Sequence, residues 1–251
     1  MSLDTLDPIG LDELVEVASL QTRVDRKYIV ERDELDTILD GLEEGTRMLD
    51  IDGTRSFGYE SVYFDTAGLT SYLGAAHRRR RRFKVRTRTY VDSAECYLEV
   101  KTPGARSATV KDRIEHDVTL PDELGAEGEE YAAEMLDEID PAELMPIMRT
   151  SYRRGTLYVP SSRSRATVDI DLAWQLDTGE TLELPHLAIV ETKSGSTPSA
   201  VDRLLWQHHR RPVSLSKYAT GMAALIPALP SNKWAPVLRT WFRPSLERVS
   251  S

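Results

Sequence analysis

The sequence predicts an α+β fold, with helices placed around a large antiparallel sheet or closed barrel. Three observations carry this expectation. Segments with period-two alternation follow one another through most of the chain, and amphipathic helical spacing is confined to the two ends and one internal stretch. Two strands also carry Glu-x-Lys toward their C-terminal ends: Tyr97-Leu98-Glu99-Val100-Lys101 and Ala188-Ile189-Val190-Glu191-Thr192-Lys193. Side chains two apart on a strand share a face, so each of these strands has one charged and one apolar face.

The elements follow in order. Leu11, Leu14, Val15 and Ala18 show helical spacing over 11–19, and Arg23 to Val30 alternates as a strand. Leu35, Ile38, Leu39 and Leu42 give a helix over about 33–43. Tyr59 to Phe64 is the next strand, and Asp65-Thr66 can cap the short helix that holds Leu69, Tyr72 and Leu73. Strands are expected at about 82–91, 95–102 and 108–119, with a turn at Pro103-Gly104. Residues 121–146 are acidic, with Leu124, Tyr131, Met135 and Leu136 at helical spacing. Strands resume at about 148–153, 155–160, 165–173, 181–184 and 187–193, and helices at 199–210 and 216–226. The tail from Pro227 reads as irregular chain packed on the outside. No tandem repeat is present.

The chain has 251 residues, 40% of them hydrophobic, which is enough for a sizeable core. The single cysteine, Cys96, excludes an intrachain disulfide and a cysteine-based zinc cluster, and it fits a reducing, cytoplasmic setting. No N-terminal apolar run resembles a signal peptide, and the longest apolar stretch, Met222 to Leu229, is too short to span a bilayer. A soluble protein is therefore expected. The net charge of −9 argues against a general nucleic-acid binder. That total conceals an uneven distribution. Residues 78–113 hold twelve Lys/Arg and four Asp/Glu, whereas residues 114–148 hold twelve Asp/Glu and no Lys/Arg. A focused cationic site in an acidic protein suits a small, dense anion.

The charged faces can be assembled strand by strand. They hold Arg23, Asp25 and Lys27; Lys84, Arg86 and Arg88; Glu99 and Lys101; and Lys111, Arg113 and Glu115. The second half adds Arg149, Arg165, Thr167, Asp169 and Asp171, then Glu191 and Lys193, with Lys217 at a helix start. An alternating charged strand is ordinarily a solvated sheet face. Recurrence across several strands with cations in excess points instead to a polyanion, because unpaired charge drawn inward is costly. Arginine offers forked donors to phosphate oxygens and lysine a point charge. The few carboxylates could hold a divalent cation whose remaining positions go to phosphate and water. The run Arg78 to Arg82 reads either as a solvated loop or as a basic rim for a polyanion.

The order Arg26-Lys27-Tyr28, Tyr59-x-Ser61-x-Tyr63-Phe64-Asp65-Thr66, Lys84-Val85-Arg86-x-Arg88-x-Tyr90 and Leu98-Glu99-x-Lys101 resembles the VTC domain. So do Arg149-x-x-Tyr152-x-Arg154, the Asp169 strand, Val190-Glu191-x-Lys193 and Ser216-Lys217-Tyr218. The VTC domain is the catalytic domain of polyphosphate polymerases, within the triphosphate tunnel metalloenzymes. The resemblance implies a single domain over 1–251 with its core at about 20–225 and an acidic helical insertion at about 121–146. It implies a closed eight-stranded antiparallel tunnel barrel with peripheral helices, and transfer of the ATP γ-phosphate onto a growing inorganic polyphosphate chain with Mn²⁺ or Mg²⁺. By position, Lys27, Arg86, Arg88, Lys101, Arg149 and Lys217 would grip the triphosphate or the product. Lys84, Lys111, Arg113, Arg165 and Lys193 would follow as further substrate contacts. Glu191 would ligate the metal, with Glu99 and Asp169 as further metal candidates or as partners of neighbouring cations.

The hydrolase branch of that superfamily carries Glu-x-Glu-x-Lys on its first strand. Here Arg23-x-Asp25-x-Lys27 keeps one carboxylate, which favours the polymerase-type site. Two alternatives stay open: a tripolyphosphate or nucleoside triphosphate hydrolase on the same fold, and a non-catalytic polyphosphate or nucleotide sensor. Eukaryotic members of the family sit in a membrane complex. With no membrane segment of its own, this chain would need a separate partner protein for export of its product.

Overall fold

Alternation along the strands sorts the side chains into two opposed faces, and helices pack on the apolar one. The computed structural model describes residues 5–18, 24–103 and 109–243. The strands are β1 (Asp7–Ile9), β2 (Val24–Glu31), β3 (Arg47–Leu49), β4 (Phe57–Asp65), β5 (Lys84–Tyr90), β6 (Glu95–Pro103), β7 (Thr109–His116), β8 (Met145–Val159), β9 (Ser164–Leu176), β10 (Thr181–Leu184) and β11 (Leu187–Ser194). The principal helices are α1 (Leu11–Val17), α2 (Arg32–Leu39), α3 (Thr70–Ala76), α4 (Gly125–Met135), α5 (Ala200–Gln207) and α6 (Lys217–Leu225). Eight strands form one hydrogen-bonded path in the order β2-β11-β9-β8-β4-β5-β6-β7. Every pair with a described register along this path is antiparallel, which agrees with the α+β expectation. The path ends at β2 and β7, and among the described residues hydrogen bonds do not join these two ends. The hydrogen-bonded sheet is therefore open, and the expected closure is not part of it.

The chain divides into two compact units. The first comprises Met1–Phe57, Tyr152–Leu172 and Leu184–Ser214, and the second Gly58–Ser151, Ala173–Glu183 and Leu215–Ser251. In the first, Tyr28, Val30, Ala166, Val168, Ala188 and Val190 project from one side of β2, β9 and β11. They pack with Leu35, Ile38 and Leu39 of α2 and Val201, Leu204 and Leu205 of α5. The buried carboxylate of Asp202 locks α5 onto the strands. It accepts hydrogen bonds from Tyr28 Oη at 2.7 Å and Thr192 Oγ1 at 2.6 Å, and completes a capping box with Ser199. Burial acts to raise this carboxyl, but the bonds from Thr192, Tyr28 and Ser199 hold it below its ordinary value.

In the second unit, Val62, Phe64, Val85, Leu98 and Val100 form the apolar side of β4, β5 and β6. Leu124, Ala132 and Leu136 from the acidic stretch cover it. Gly128 of α4 sits so close to β6 that a Cβ there would lie 3.1 Å from Leu98 Cδ2. Glu127, Glu129, Glu130 and Glu134 point to solvent. The acidic insertion is thus an amphipathic cover whose charge is its outer surface. Asp65 and Thr66 serve the start of α3 as expected: Thr70 N donates to Thr66 Oγ1, Ser71 N to Asp65 Oδ1 and Tyr72 N to Asp65 Oδ2.

Three expectations change. The strands placed at 148–153 and 155–160 are one strand, β8, because buried Gly155 continues the extended chain instead of turning it. The three-residue strands β1 and β3, a parallel pair, are too short for periodicity to reveal. The described part of the tail beyond Pro227, to residue 243, forms short helical turns that bury Trp234, Val237, Leu238 and Phe242. No helix among the described residues is long and apolar enough to cross a membrane. Gly221 on α6 lies against Trp174, and a Cβ there would meet Trp174 Cδ1 at 2.3 Å. We predict that Gly221→Ala destabilises the fold by about 1–3 kcal/mol through overpacking, although alanine is the better helix former. Leu98→Ala should cost about 2–5 kcal/mol by opening a cavity under α4. Urea unfolding of both variants checks these values.

Candidate functional site

In the second unit the register brings charged side chains of β5, β6 and β7 onto one face, beside Ser61 and Tyr63 of β4. Arg86 stands opposite Tyr63 on β4 and Glu99 on β6, Lys84 opposite Lys101, and Arg88 opposite Ser61 and Tyr97. Arg113 on β7 stands opposite Glu99, and Lys111 opposite Lys101. Glu99 is fully buried and is the hub of this face. Arg86 donates to its Oε2 from Nε at 2.8 Å and from Nη2 at 2.6 Å, and Arg88 Nη1 lies 3.7 Å from its Oε1. Arg86 Nη1 also donates to Tyr63 Oη at 3.1 Å. Burial acts to raise the Tyr63 phenol, but Arg86, Arg88 and Lys217 outweigh it and bring the phenol below its ordinary value.

The cations here outnumber the carboxylate that serves them. Lys101 shows the consequence: burial first, then Arg86 and Lys84, push its ammonium down to about 6. Lys84 Nζ donates to Ser216 Oγ at 2.9 Å, at the N-terminus of α6, where Lys217 begins the helix. The buried Ser61 Oγ and Arg88 Nε have no hydrogen-bond partner among the described residues. The Arg113 guanidinium lies over the Tyr97 ring, 4.4 Å from its centroid. A second buried carboxylate, Asp65, fixes the backing of this face. Tyr218 Oη donates to Asp65 Oδ2 at 2.5 Å, and the Tyr218 ring stacks on Tyr63 with centroids 5.1 Å apart.

In the first unit Glu191 is the centre. It pairs in register with Lys27 on β2 and Thr167 on β9, while Lys193 pairs with Asp25 and Arg165. Lys27 Nζ lies 2.8 Å from Glu191 Oε2, and Lys193 Nζ 3.3 Å from Oε1. Burial opposes ionisation of Glu191, but Lys27, Lys193 and Arg154 hold the carboxyl well below the usual carboxylate range. The buried Thr167 Oγ1 has no hydrogen-bond partner among the described residues. Arg154 grips the buried Asp169 with both prongs of its fork, Nε to Oδ1 at 2.6 Å and Nη2 to Oδ2 at 2.8 Å.

The sequence-predicted residues thus fall into groups. Arg86, Arg88, Lys84, Lys101, Glu99 and Arg113 share one face, with Lys217 near enough to act on Tyr63. Lys27, Glu191, Lys193, Arg165 and Asp169 share the other unit's face. Arg149 falls elsewhere: it pairs with Glu60 at 3.4 Å and with Asp122, and Glu60 alternates with Tyr59, Ser61 and Tyr63 to the opposite side of β4. Arg23 and the side chain of Lys111 lie outside the described residues. Sequence reasoning quoted Arg154 in a motif without ranking it, although its spacing of two from Tyr152 was the available signal. Tyr63 and the Asp65–Tyr218 link were also missed, because packing between distant segments creates them.

Both faces carry cations partly withdrawn from water, an arrangement that suits a multivalent anion. Lys101 supplies a pH signature. Free, it titrates near 6 and is mostly neutral at pH 7.5. A bound polyanion favours the ammonium and raises that value, so binding above about pH 6 takes up a proton, and the uptake vanishes below about pH 5, where the amine is already charged. Calorimetric titration with tripolyphosphate in buffers of different ionisation enthalpy should show this uptake at pH 7.5, and Lys101→Met should abolish it.

Among solved structures, a protein from Hippeastrum described as a candidate adenylyl cyclase with a dominant triphosphatase activity aligns at 16% identity, over 83% of this chain and 98% of its own, with a TM-score of 0.51. A conserved hypothetical protein from Pyrococcus furiosus aligns at 13% identity over 74% of this chain and 88% of its own, with a TM-score of 0.39. A protein from Pyrococcus horikoshii gives 12%, 74%, 87% and 0.38. Among curated proteins, none matches this chain in sequence. The family pattern of the VTC domain matches residues 22–226, which span both charged faces. The chain belongs to the VTC domain family.

Proposed function

We propose that this protein is a metal-dependent polyphosphate polymerase that moves the terminal phosphate of ATP onto the end of an inorganic polyphosphate chain. The observation that carries this reading is the excess of cations on a withdrawn sheet face whose buried carboxylate, Glu99, already serves Arg86 and Arg88. Such a face is relieved of self-repulsion by an anion with many charges. Family membership points to triphosphate and polyphosphate chemistry. In the transfer, the bond from the γ-phosphorus to the ADP oxygen breaks and a bond to the terminal oxygen of the acceptor chain forms, with ADP leaving. Catalysis of this kind is mainly positioning and neutralisation, so no side-chain nucleophile is required.

Each residue has a task within this reading. Arg86 and Arg88 hold phosphate oxygens through forked donors, and Lys84, Lys101 and Lys217 add point charges. Tyr63 keeps the Arg86 fork in plane through its hydrogen bond. In the other unit, Lys27, Lys193 and Arg165 line the face around Glu191, and Arg154 is a structural anchor held by Asp169.

The residues fit a divalent cation of the kind completed by its substrate. Among the described residues no three His, Cys, Asp or Glu side chains gather as a metal site, so an all-protein cage is absent there. Glu191, with the unsatisfied Thr167 hydroxyl across from it, offers one carboxylate and one neutral oxygen. Magnesium and manganese accept such sparse protein ligation when phosphate and water supply the rest. When bound, the cation would neutralise charge on the transferring phosphate. Glu99 and Asp169 are committed to arginines and are weaker candidates.

Hydrolysis is the second reading, favoured by the triphosphatase activity described for the Hippeastrum protein. The first strand argues against it, since Asp25 is its one carboxylate between Arg23 and Lys27. Incubation with labelled ATP and Mn²⁺ or Mg²⁺, followed by resolution of polymer, ADP and orthophosphate, separates the two. The expected products are acid-stable polymer and ADP. Orthophosphate without chain growth would establish the hydrolase, and tight binding without turnover a sensor. Glu191→Gln and Arg86→Ala should each lower kcat by about a hundredfold or more, the scale of a lost charge-stabilising contact.

A further inference from the structure

The run Arg78–Arg82 lies between α3 and β5, and all five residues are exposed. The loop is nonetheless built rather than loose. Arg78 N donates to Ala75 O at 3.3 Å and Arg79 N to Gly74 O at 2.8 Å, with Arg78 in the left-handed region at φ 54°, closing the C-terminus of α3. At the other end Phe83 is buried, and its carbonyl accepts from Ser71 Oγ at 2.7 Å. Arg82 packs against Gly74, where a Cβ would come within 3.4 Å of the Arg82 Cβ.

Charge on this loop is poorly compensated. Arg81 pairs with Glu138, and Arg82 Nη1 donates to Arg79 O at 3.2 Å. The side chains of Arg79 and Arg80 have no hydrogen-bond or ion-pair partner among the described residues. Lys233 adds a further cation, donating to Ala75 O at 3.1 Å. Burial, then the charges of Arg82 and Arg78, lower its ammonium from the ordinary value, so these cations crowd one another. The loop runs directly into Lys84, which faces Lys101 in register at the end of the unit's charged face. Arg80 lies four residues before Lys84, at most about 14 Å along the chain.

We propose that the Arg78–Arg82 loop is a second anion-binding site, which takes the part of a linear polyphosphate chain extending beyond the Lys84–Lys101 end of the charged face. The inference rests on polyphosphate being the polymer this protein handles. Continuity of charge from Lys101 through Lys84 to Arg80 suits a flexible chain with a negative charge on each unit, and forked guanidinium donors suit its non-bridging oxygens. Single-stranded nucleic acid is a poorer match, because the one aromatic beside the run, Phe83, is buried and offers no stacking platform. A triphosphate held on the face leaves the loop bare, whereas a long chain covers both.

The test compares sodium tripolyphosphate with long-chain polyphosphate, binding to the intact protein and to the double variant Arg79→Ser/Arg80→Ser without nucleotide. Both positions are exposed, and neither contributes to the contacts that pin the loop through its side chain. Affinity for tripolyphosphate should be unchanged. Affinity for the long chain should fall about tenfold, and the slope of log affinity against log salt should shrink by about 0.7 for each arginine removed. Arg79→Lys/Arg80→Lys should restore most of the long-chain affinity. Equal long-chain affinity in the serine variant and the unmodified protein would overturn the inference, as would equal losses for both ligands. Failure of the unmodified protein to bind either phosphate would instead strike the proposed function itself.

Discussion

The structure depends on sharing a few buried carboxylates among many cations. Glu99 serves Arg86 and Arg88, Glu191 serves Lys27 and Lys193, and Asp169 serves Arg154. Removing any of these acids would leave a partly buried cation uncompensated, a change that commonly costs about 3–5 kcal/mol. The compensation is incomplete by construction. Lys101 carries the remainder, since its amine can shed its proton and wait neutral until an anion arrives. An arginine in that position would have no such option, because the guanidinium stays charged.

Rigid backing makes that face useful. Each unit uses the same device on different elements: a buried aspartate that caps a helix and also accepts from a distant tyrosine. Asp202 caps α5 and receives Tyr28 Oη, while Asp65 caps α3 and receives Tyr218 Oη. Helix position and strand position are thereby fixed by one buried side chain. In the second unit the connection continues through the stacked Tyr63 ring to Arg86, so the geometry of the Arg86 fork is set by residues far from it in sequence.

The acidic insertion takes its place in this scheme. The twelve carboxylates of residues 114–148, most of them in this insertion, look at first like a counterweight to the basic segment before them. The helix α4 instead turns its acids outward and seats Leu124, Ala132 and Leu136 on the apolar side of β5 and β6. Cationic and acidic surfaces are thus separated by the thickness of a sheet. The acids of α4 are not the ones that serve the basic face, whose carboxylate partner is Glu99, although Glu138 beyond the helix pairs with Arg81.

The sequence alone determined much of the face assignment. A strand's period is two, so Lys84, Arg86 and Arg88 had to share a side, as did Glu99 with Lys101 and Glu191 with Lys193, whatever the tertiary fold. The caps at Asp65 and Ser199 and the apolar stripe of α2 were equally local. Tertiary structure decided which strands lie side by side, and hence which charges meet. It joined Arg154 to Asp169 rather than leaving that aspartate for a metal, sent Arg149 to Glu60 on the other side of β4, and stacked Tyr218 on Tyr63. It also merged two expected strands into β8 and made buried helical turns of a tail rich in proline and tryptophan. The physical reason is range. Alternation and capping are fixed within a few residues along the chain, whereas the partner of a buried charge is chosen by register and packing between segments far apart in sequence.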